Sequence, residues 1–166
     1  MIKAVIVIIL TAAIIACKSG PTQQVAAVTS PTVYVTDEAK VIDEATRKQL
    51  ETTLAALKDR KKIDFSVVTV KTTGDKSVFD YSLDLARERK KNSIEQNVSG
   101  LLLLVAVDDR QWRLQISRNL EPHLTNELLT NMSTPMTDAF RQKQYGEGIS
   151  KYVNAIIAKL DQLDLH

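Results

Sequence analysis

The sequence predicts an α/β fold, a three-layer αβα sandwich in which helices cover both faces of a mixed sheet of about four strands. Residues 101–107 are apolar at every position, which is typical of a central strand buried on both faces. Residues 112–117 alternate apolar and polar side chains, which predicts a second strand joined to the first by a hairpin turn at Asp108 and Asp109. A strand, a helix and a strand within residues 63–107 form a βαβ unit, which is parallel and right-handed in nearly all proteins.

The N-terminal residues predict a signal peptide over residues 1–16, since a lysine precedes a short apolar stretch that ends in small side chains. Residues 14–17 resemble a bacterial lipobox, so we expect cleavage before Cys17 and lipidation of its thiol, which anchors the mature chain to a membrane. An uncleaved signal anchor is the alternative. Lys18 in place of an acidic residue favours the periplasmic side of the outer membrane over the inner membrane.

Three regions follow from this. Residues 17–32 contain the lipidated cysteine and a flexible tether rich in small and polar side chains, which bury too little apolar surface to offset the entropy of ordering. Residues 33–166, about 130 residues, have the size of one domain. The net charge of +2 gives no reason to expect a nucleic-acid partner. The single cysteine excludes an intramolecular disulfide.

The first half of the domain begins with a short β-branched strand, residues 33–35. Thr36 or Asp37 is expected to cap a helix over about residues 39–59, in which apolar side chains recur at helical spacing. Residues 63–70 are β-branched and aromatic and predict the next strand. These elements lead into the βαβ unit.

The remaining helices are predicted from their caps and periodicity. Ser77 begins the helix of the βαβ unit, and Thr125 begins one after the hairpin. A break is expected at residues 133–134, with Pro135 starting another helix to about residue 143. The last helix is predicted from apolar spacing over residues 149–163. Two glycines are expected to loosen the junction before it: Gly146 and Gly148.

Three groups of residues resemble motifs of a known family. The opening group is Val35, Asp37, Ala39 and Ile42. The central group is Asp108, Asp109 and Arg110, followed by Leu120, Glu121, Leu124 and Thr125. The closing group is Pro135, Phe140, Arg141, Tyr145, Gly148 and Ile149. Over about residues 33–160, these groups resemble the TPM domain family.

The resemblance implies an envelope protein whose TPM domain recognises a protein partner in the assembly or maintenance of a membrane complex. The alternative from a different class is a metal-dependent acid phosphatase, because that activity is associated with some members of the family. The sequence itself shows no Gly-x-Ser-x-Gly motif and no phosphate-binding glycine loop, so it assigns no catalytic residue.

The candidate metal site consists of Asp37, Asp108 and Asp109. In a parallel arrangement the carboxyl ends of the strands meet at one edge of the sheet, which brings these three carboxylates there. Carboxylate oxygens are ligands for calcium and magnesium, and the resemblance adds that some TPM domains bind these cations. The alternative is that the two adjacent aspartates serve only the turn, where Asp is common.

Late in the helix of the βαβ unit lies a basic run: Arg87, Arg89, Lys90 and Lys91. Cations are favourable near a helix C-terminus, which predicts a solvated face. Contact with an anion or a phospholipid headgroup is the alternative. Trp112 has two interpretations as well, as a core residue or as an anchor for a partner on an edge strand.

Overall fold

In a computed structural model, residues 33–92 and 99–164 are described, and they form a mixed sheet of four strands in the order β1-β2-β3-β4. The strands are β1 (Val35–Asp37), β2 (Ile63–Val70), β3 (Ser99–Ala106) and β4 (Gln111–Ile116). β1 and β3 both pair with β2 in parallel, and β4 pairs antiparallel with β3. The predicted βαβ unit and hairpin are confirmed.

The described helices cover the two faces of the sheet unequally. They are α1 (Glu44–Lys61), α2 (Val78–Asn92), α3 (Asn126–Arg141) and α4 (Tyr145–Asp161). Side chains of α1, α3 and α4 form the larger core with one face of the sheet. The α2 side chains form a smaller core with alternate residues of β2 and β3 on the other face. The three-layer α/β prediction is therefore confirmed, with α2 as the thin layer.

The larger core is fully enclosed. Phe65 and Leu103 on the sheet, Leu54 on α1 and Tyr152 and Ile156 on α4 have no solvent exposure. Burial of apolar side chains of this size contributes about 1.5 to 3 kcal/mol each relative to exposure. This core holds the sheet rigid and so fixes the positions of its strand ends.

Helix α1 begins later than predicted. The predicted start near residue 39 and the cap at Thr36 or Asp37 are wrong, because Lys40 has a left-handed φ of 57°, which a right-handed helix does not admit. The N-cap is Asp43, whose side chain accepts a hydrogen bond from the Thr46 N–H at 2.9 Å. Residues 38–42 therefore form a loop at the end of β1.

Helix α3 is continuous where a break was predicted. Pro135 lies inside it, so one backbone N–H is missing and the Asn131 carbonyl loses its helical donor. The helix persists because Met136 and Ala139, in the next turn, are buried against α4. Tertiary packing outweighs the local cost of the proline.

The glycines expected to loosen the junction before α4 instead lie inside its first turn. A Cβ atom on Gly148 would lie 2.9 Å from the Met136 carbonyl oxygen, closer than real Cβ atoms come to such an atom. Gly146 is also buried. Gly148 therefore allows α4 to approach α3 closely.

Within the described residues, no helix is long and apolar enough to cross a membrane. The predicted signal peptide, Cys17 and the tether of residues 17–32 lie outside the described residues.

Candidate functional site

The predicted site residues lie where the parallel strands end, which we call the carboxyl edge (Asp37, residues 71–75, Asp108 and Asp109). Asp37 ends β1 and is in register with Thr69 of β2. The Asp108 N–H donates to the Lys71 carbonyl at 2.8 Å, which joins the hairpin turn to the loop after β2. The structure thus brings the three predicted aspartates to one edge.

At this edge, Asp37 shapes the loop that leads into α1. Its Oδ1 accepts the Val41 N–H at 3.1 Å, and its Oδ2 accepts the Ile42 N–H at 3.0 Å. The Thr69 hydroxyl also donates to Oδ1. Both oxygens are therefore already used by donors of the chain.

Asp109 joins the hairpin turn to the loop after β2. Its Oδ2 accepts the Thr73 N–H and its Oδ1 accepts the Thr72 hydroxyl, each at 2.8 Å. These hydrogen bonds favour the ionised carboxylate, the Thr73 N–H most, and so lower the pKa of Asp109. Asp109 therefore links the hairpin turn to the loop after β2, where Thr73 lies 36 residues earlier in the sequence.

Asp108 differs from its neighbour because its side chain is exposed and accepts no hydrogen bond from any described residue. It occupies the turn that reverses β3 into β4, closed by the Arg110 N–H donating to the Val107 carbonyl at 3.2 Å. Arg110 adopts a left-handed φ of 52° to complete the turn. The two adjacent aspartates therefore have different surroundings.

A metal centre at the carboxyl edge stays a prediction. The described residues contain no group of three or more His, Cys, Asp or Glu side chains arranged to hold a metal ion. Of the three predicted ligands, Asp37 and Asp109 accept hydrogen bonds from the chain, and Asp108 offers its oxygens to solvent. Of the three, only the Asp108 carboxylate accepts no hydrogen bond from the described residues.

The basic run near the C-terminal end of α2 contains both buried-facing and exposed side chains. Arg89 reaches toward the sheet, where its guanidinium donates to the Ser66 Oγ at 2.8 Å and to the Val33 carbonyl at 3.2 Å. Desolvation lowers the pKa of Arg89. Arg87, Lys90 and Lys91 are exposed. The predicted solvated face holds for these three residues and is wrong for Arg89.

The outer edge of β4 is open. The Ser117 N–H donates to the Gly100 carbonyl at 2.9 Å, which sets the alternation of the antiparallel pair. In that alternation the backbone N–H and C=O groups of Trp112, Leu114 and Ile116 point away from β3. No described residue forms a hydrogen bond with them.

The opposite edge of the sheet, at β1, is occupied. The Glu51 carboxylate of α1 accepts the Tyr34 N–H at 3.1 Å and the Val35 N–H at 2.8 Å. A side chain of the same domain thus takes the place of a neighbouring strand. The β1 edge thus has two backbone donors bonded to a side chain, whereas no described residue bonds to the outer backbone groups of β4.

Beside the open edge lies a surface that the sequence pattern did not predict. Phe79 of α2 is 44% exposed, and the Arg113 guanidinium lies over its ring, with Cζ 5.1 Å from the ring centre. Gln115 donates to the Ser82 hydroxyl at 2.8 Å. Trp112, on the other face, packs edge-on against Tyr152 with ring centres 5.5 Å apart, which favours its interpretation as a core residue.

Comparison with known proteins agrees with this architecture. The solution NMR structure of the N-terminal domain of a protein from P. gingivalis is 33% identical, with a TM-score of 0.70 over 80% of this chain and 85% of that chain. The N-terminal domain of a Corynebacterium glutamicum protein is 11% identical, with a TM-score of 0.58 over 76% of this chain and 79% of that chain. The BA42 protein of the psychrophilic bacterium Bizionia argentinensis is 15% identical, with a TM-score of 0.60 over 75% of this chain and 90% of that chain.

No curated protein matches this chain significantly. The family model described as the TPM domain matches residues 35–159, which include every strand and helix of the described residues up to the last turn of α4. The motifs at the opening, the hairpin and the closing helices fall within that match. The chain belongs to the TPM domain family.

Proposed function

We propose that this protein is a membrane-anchored envelope lipoprotein whose TPM domain recognises a protein partner by pairing with an extended segment of it along β4. The observation that carries the proposal is the open edge of β4, where three residues offer unpaired N–H and C=O groups. Addition of a peptide strand to such an edge is a common mode of recognition, in which main-chain hydrogen bonds supply affinity.

Side chains beside the edge supply specificity. On the α2 face, an added strand would lie next to Arg113 and near the exposed Phe79 ring. A partner residue directly opposite Arg113 is favoured if it is acidic, because opposite charges in cross-strand pairs are stabilising. The proposed partner segment is therefore extended, with an acidic side chain on the face toward α2.

The experiment places a photo-crosslinking amino acid in the full chain at position 111, which is exposed on β4. Position 154, exposed on α4, is the matched control. Irradiation of cells is expected to give one discrete adduct from position 111 and none from position 154. Equal adducts at both positions, or none at position 111, would contradict recognition along this edge.

A pair of proline variants tests the hydrogen bonds themselves. Ile116→Pro removes an N–H that points away from β3, whereas Gln115→Pro removes one that bonds to β3. We expect the first variant to fold and to lose the adduct, and the second to lose stability as well. A full adduct from folded Ile116→Pro would argue against backbone pairing.

The anchor part of the proposal rests on Cys17 and the lipobox-like residues before it. Cys17→Ser is expected to abolish labelling with a palmitate analogue and to release the protein from membranes. Labelling that persists in this variant would exclude lipidation at Cys17.

Cation binding is a further part of the proposal. We expect Asp108 to provide the first ligand for calcium or magnesium, because its carboxylate is exposed and accepts no hydrogen bond from the described residues. Asp109 and Asp37 could join it only by giving up hydrogen bonds to the chain, so the affinity is expected to be low.

A further inference from the structure

A cavity of about 310 Å³ lies between α2 and the sheet at the end opposite the carboxyl edge. We call it the amino-edge cavity. Its floor is the start of β3 and the end of β4, and its wall is the second half of α2. This volume is at the lower end of the range for small-molecule sites, which favours a compact ligand.

The cavity exists because side chains are small or absent at its base. Gly100 of β3 lines it, and a Cβ atom built on Gly100 meets only the Asp64 carbonyl oxygen, at 4.0 Å. Leu83 and Leu102 provide an apolar surface beside it. The inner part of the cavity therefore accepts an apolar group.

The rim of the cavity is strongly basic. Among the described residues that line it are four cations, Arg87, Arg89, Lys90 and Arg118, and one carboxylate, Asp64. Asp64 forms an ion pair with a lysine that is not one of these four cations, since the Lys58 Nζ lies 3.9 Å from its Oδ2. The charge balance at the rim favours an anion with more than one negative charge.

Arg89 is the cation best placed to bind such an anion. Its hydrogen-bond acceptors in the described residues, the Ser66 hydroxyl, the Val33 carbonyl and the Thr36 hydroxyl, are neutral and orient the guanidinium. The carboxylates of Asp64 and Glu51 attract it only through space. Arg87 has a carboxylate partner, Asp84, at 3.6 Å, whereas Arg118 has none among the described residues. Oriented guanidinium groups bind phosphate and carboxylate oxygens in bidentate geometry.

We propose that the amino-edge cavity binds a small amphiphilic organic anion, with a multiply charged headgroup at Arg89 and Arg118 and a short apolar group against Leu83 and Leu102. A phosphate monoester and a dicarboxylate share the required headgroup chemistry. This site lies at the end of the strands opposite the carboxyl edge, and its occupancy does not depend on partner recognition along β4.

Calorimetric titration of the full chain with n-hexyl phosphate tests the proposal, with inorganic phosphate and hexan-1-ol as probes of the two halves of the ligand. We expect saturable binding of hexyl phosphate at least about tenfold tighter than of either half probe, because only hexyl phosphate uses both surfaces. No saturable binding, or equal affinity for hexyl phosphate and inorganic phosphate, would overturn the proposal.

Two variants locate the site. A Cβ atom at position 100 meets only the Asp64 carbonyl oxygen, at 4.0 Å, and valine is favoured over glycine in strands. For Gly100→Val we therefore expect binding to disappear while the melting temperature stays the same or rises. Arg118→Gln is expected to weaken binding about tenfold. Its matched control is Arg110→Gln, which removes an exposed arginine at the carboxyl edge. Wild-type binding by folded Gly100→Val, or equal effects of the two arginine variants, would place the ligand elsewhere.

Vesicles separate two sources of the ligand. Co-sedimentation with phosphatidate vesicles but not with phosphatidylcholine vesicles, lost in Gly100→Val, would assign the site to a lipid headgroup. Binding of hexyl phosphate without such co-sedimentation would assign it to a soluble amphiphile. Both results support the cavity as the binding site.

Discussion

The two ends of the parallel strands use their charged side chains differently. At the carboxyl edge, Asp37 and Asp109 accept hydrogen bonds from N–H and hydroxyl groups of the chain's own loops. At the opposite end, Arg89 is held by neutral acceptors, and Arg118 is exposed with no carboxylate partner among the described residues. The carboxylates stabilise loops, whereas the described cations outnumber the carboxylates around a cavity.

This difference shows that a charged residue at a strand end is a functional candidate only if the charged group is not already bonded within the domain and can bind a ligand. Asp37 and Asp109 satisfy the position rule for ligand sites in α/β sheets, yet both are already bonded within the domain. Arg89 lies at the end of the strands where that rule expects no site, and its hydrogen-bond acceptors among the described residues are all neutral. The availability of the charged group is the more informative criterion here.

The largest expected effect is that of Asp37→Ala. The variant leaves the Val41 and Ile42 N–H groups and the Thr69 hydroxyl without their acceptor, so we expect the free energy of unfolding to fall by about 2 to 4 kcal/mol. Urea unfolding measures this, with the exposed neighbour Glu38→Ala as the matched control. Equal stability of the two variants would show that Asp37 does not hold the loop.

A smaller loss is expected for Arg89→Met at the other end of the strands. The methionine keeps most of the apolar stem but loses the hydrogen bonds to Ser66 and Val33, so unfolding should become easier by about 1 to 2 kcal/mol. Lys90→Met, at an exposed position, is the control. If Arg89→Met costs more than Asp37→Ala, the contrast between the two ends is wrong.

Calcium titration is expected to have a weaker effect. For a dissociation constant near 1 mM, about 5 mM calcium stabilises the folded state by about 1 kcal/mol. The rise in melting temperature should disappear in Asp108→Asn and persist in Glu121→Gln, another exposed acidic residue. A full response in Asp108→Asn would move the cation away from the hairpin turn.

The smallest expected effect is a pH dependence due to Asp109. Because its pKa is lowered in the folded state, Asp109 contributes stability above its unfolded pKa of about 3.9 and loses that contribution as pH falls through the folded pKa. The stability difference between wild type and Asp109→Asn should be full at pH 6 and shrink below about pH 4. Urea unfolding across this range measures it, and a difference that is constant with pH would contradict the assignment.

Much of the fold follows from periodicity alone. The strand predicted at residues 63–70 has those bounds in the structure, and the hairpin turns at Asp108 and Asp109 as expected. The start of α1 was missed because nothing in the local pattern predicts a left-handed Lys40. The proline in α3 was misjudged because its cost is local, whereas the packing that outweighs it involves α4.

The candidate site was predictable in position but not in chemistry. The parallel arrangement places the aspartates at one edge, but the partners of Asp109 lie in a loop distant in sequence, and no local pattern reveals them. The inward position of Arg89, in contrast, was predictable from its spacing. It continues the four-residue spacing of Tyr81 and Leu85, which pack toward the sheet, and so belongs to the inner face of α2.

The carboxylate of Glu51 has a consequence for assembly. A sheet that is open at both edges lets each copy accept a strand on one side and offer one on the other, so copies can add without limit into a fibre. Glu51 occupies the Tyr34 and Val35 donors at the start of β1, so among the described strands β4 is the edge with the longer run of free backbone groups. Copies of this chain that associate through sheet edges are therefore expected to pair β4 with β4, which gives closed dimers rather than fibres.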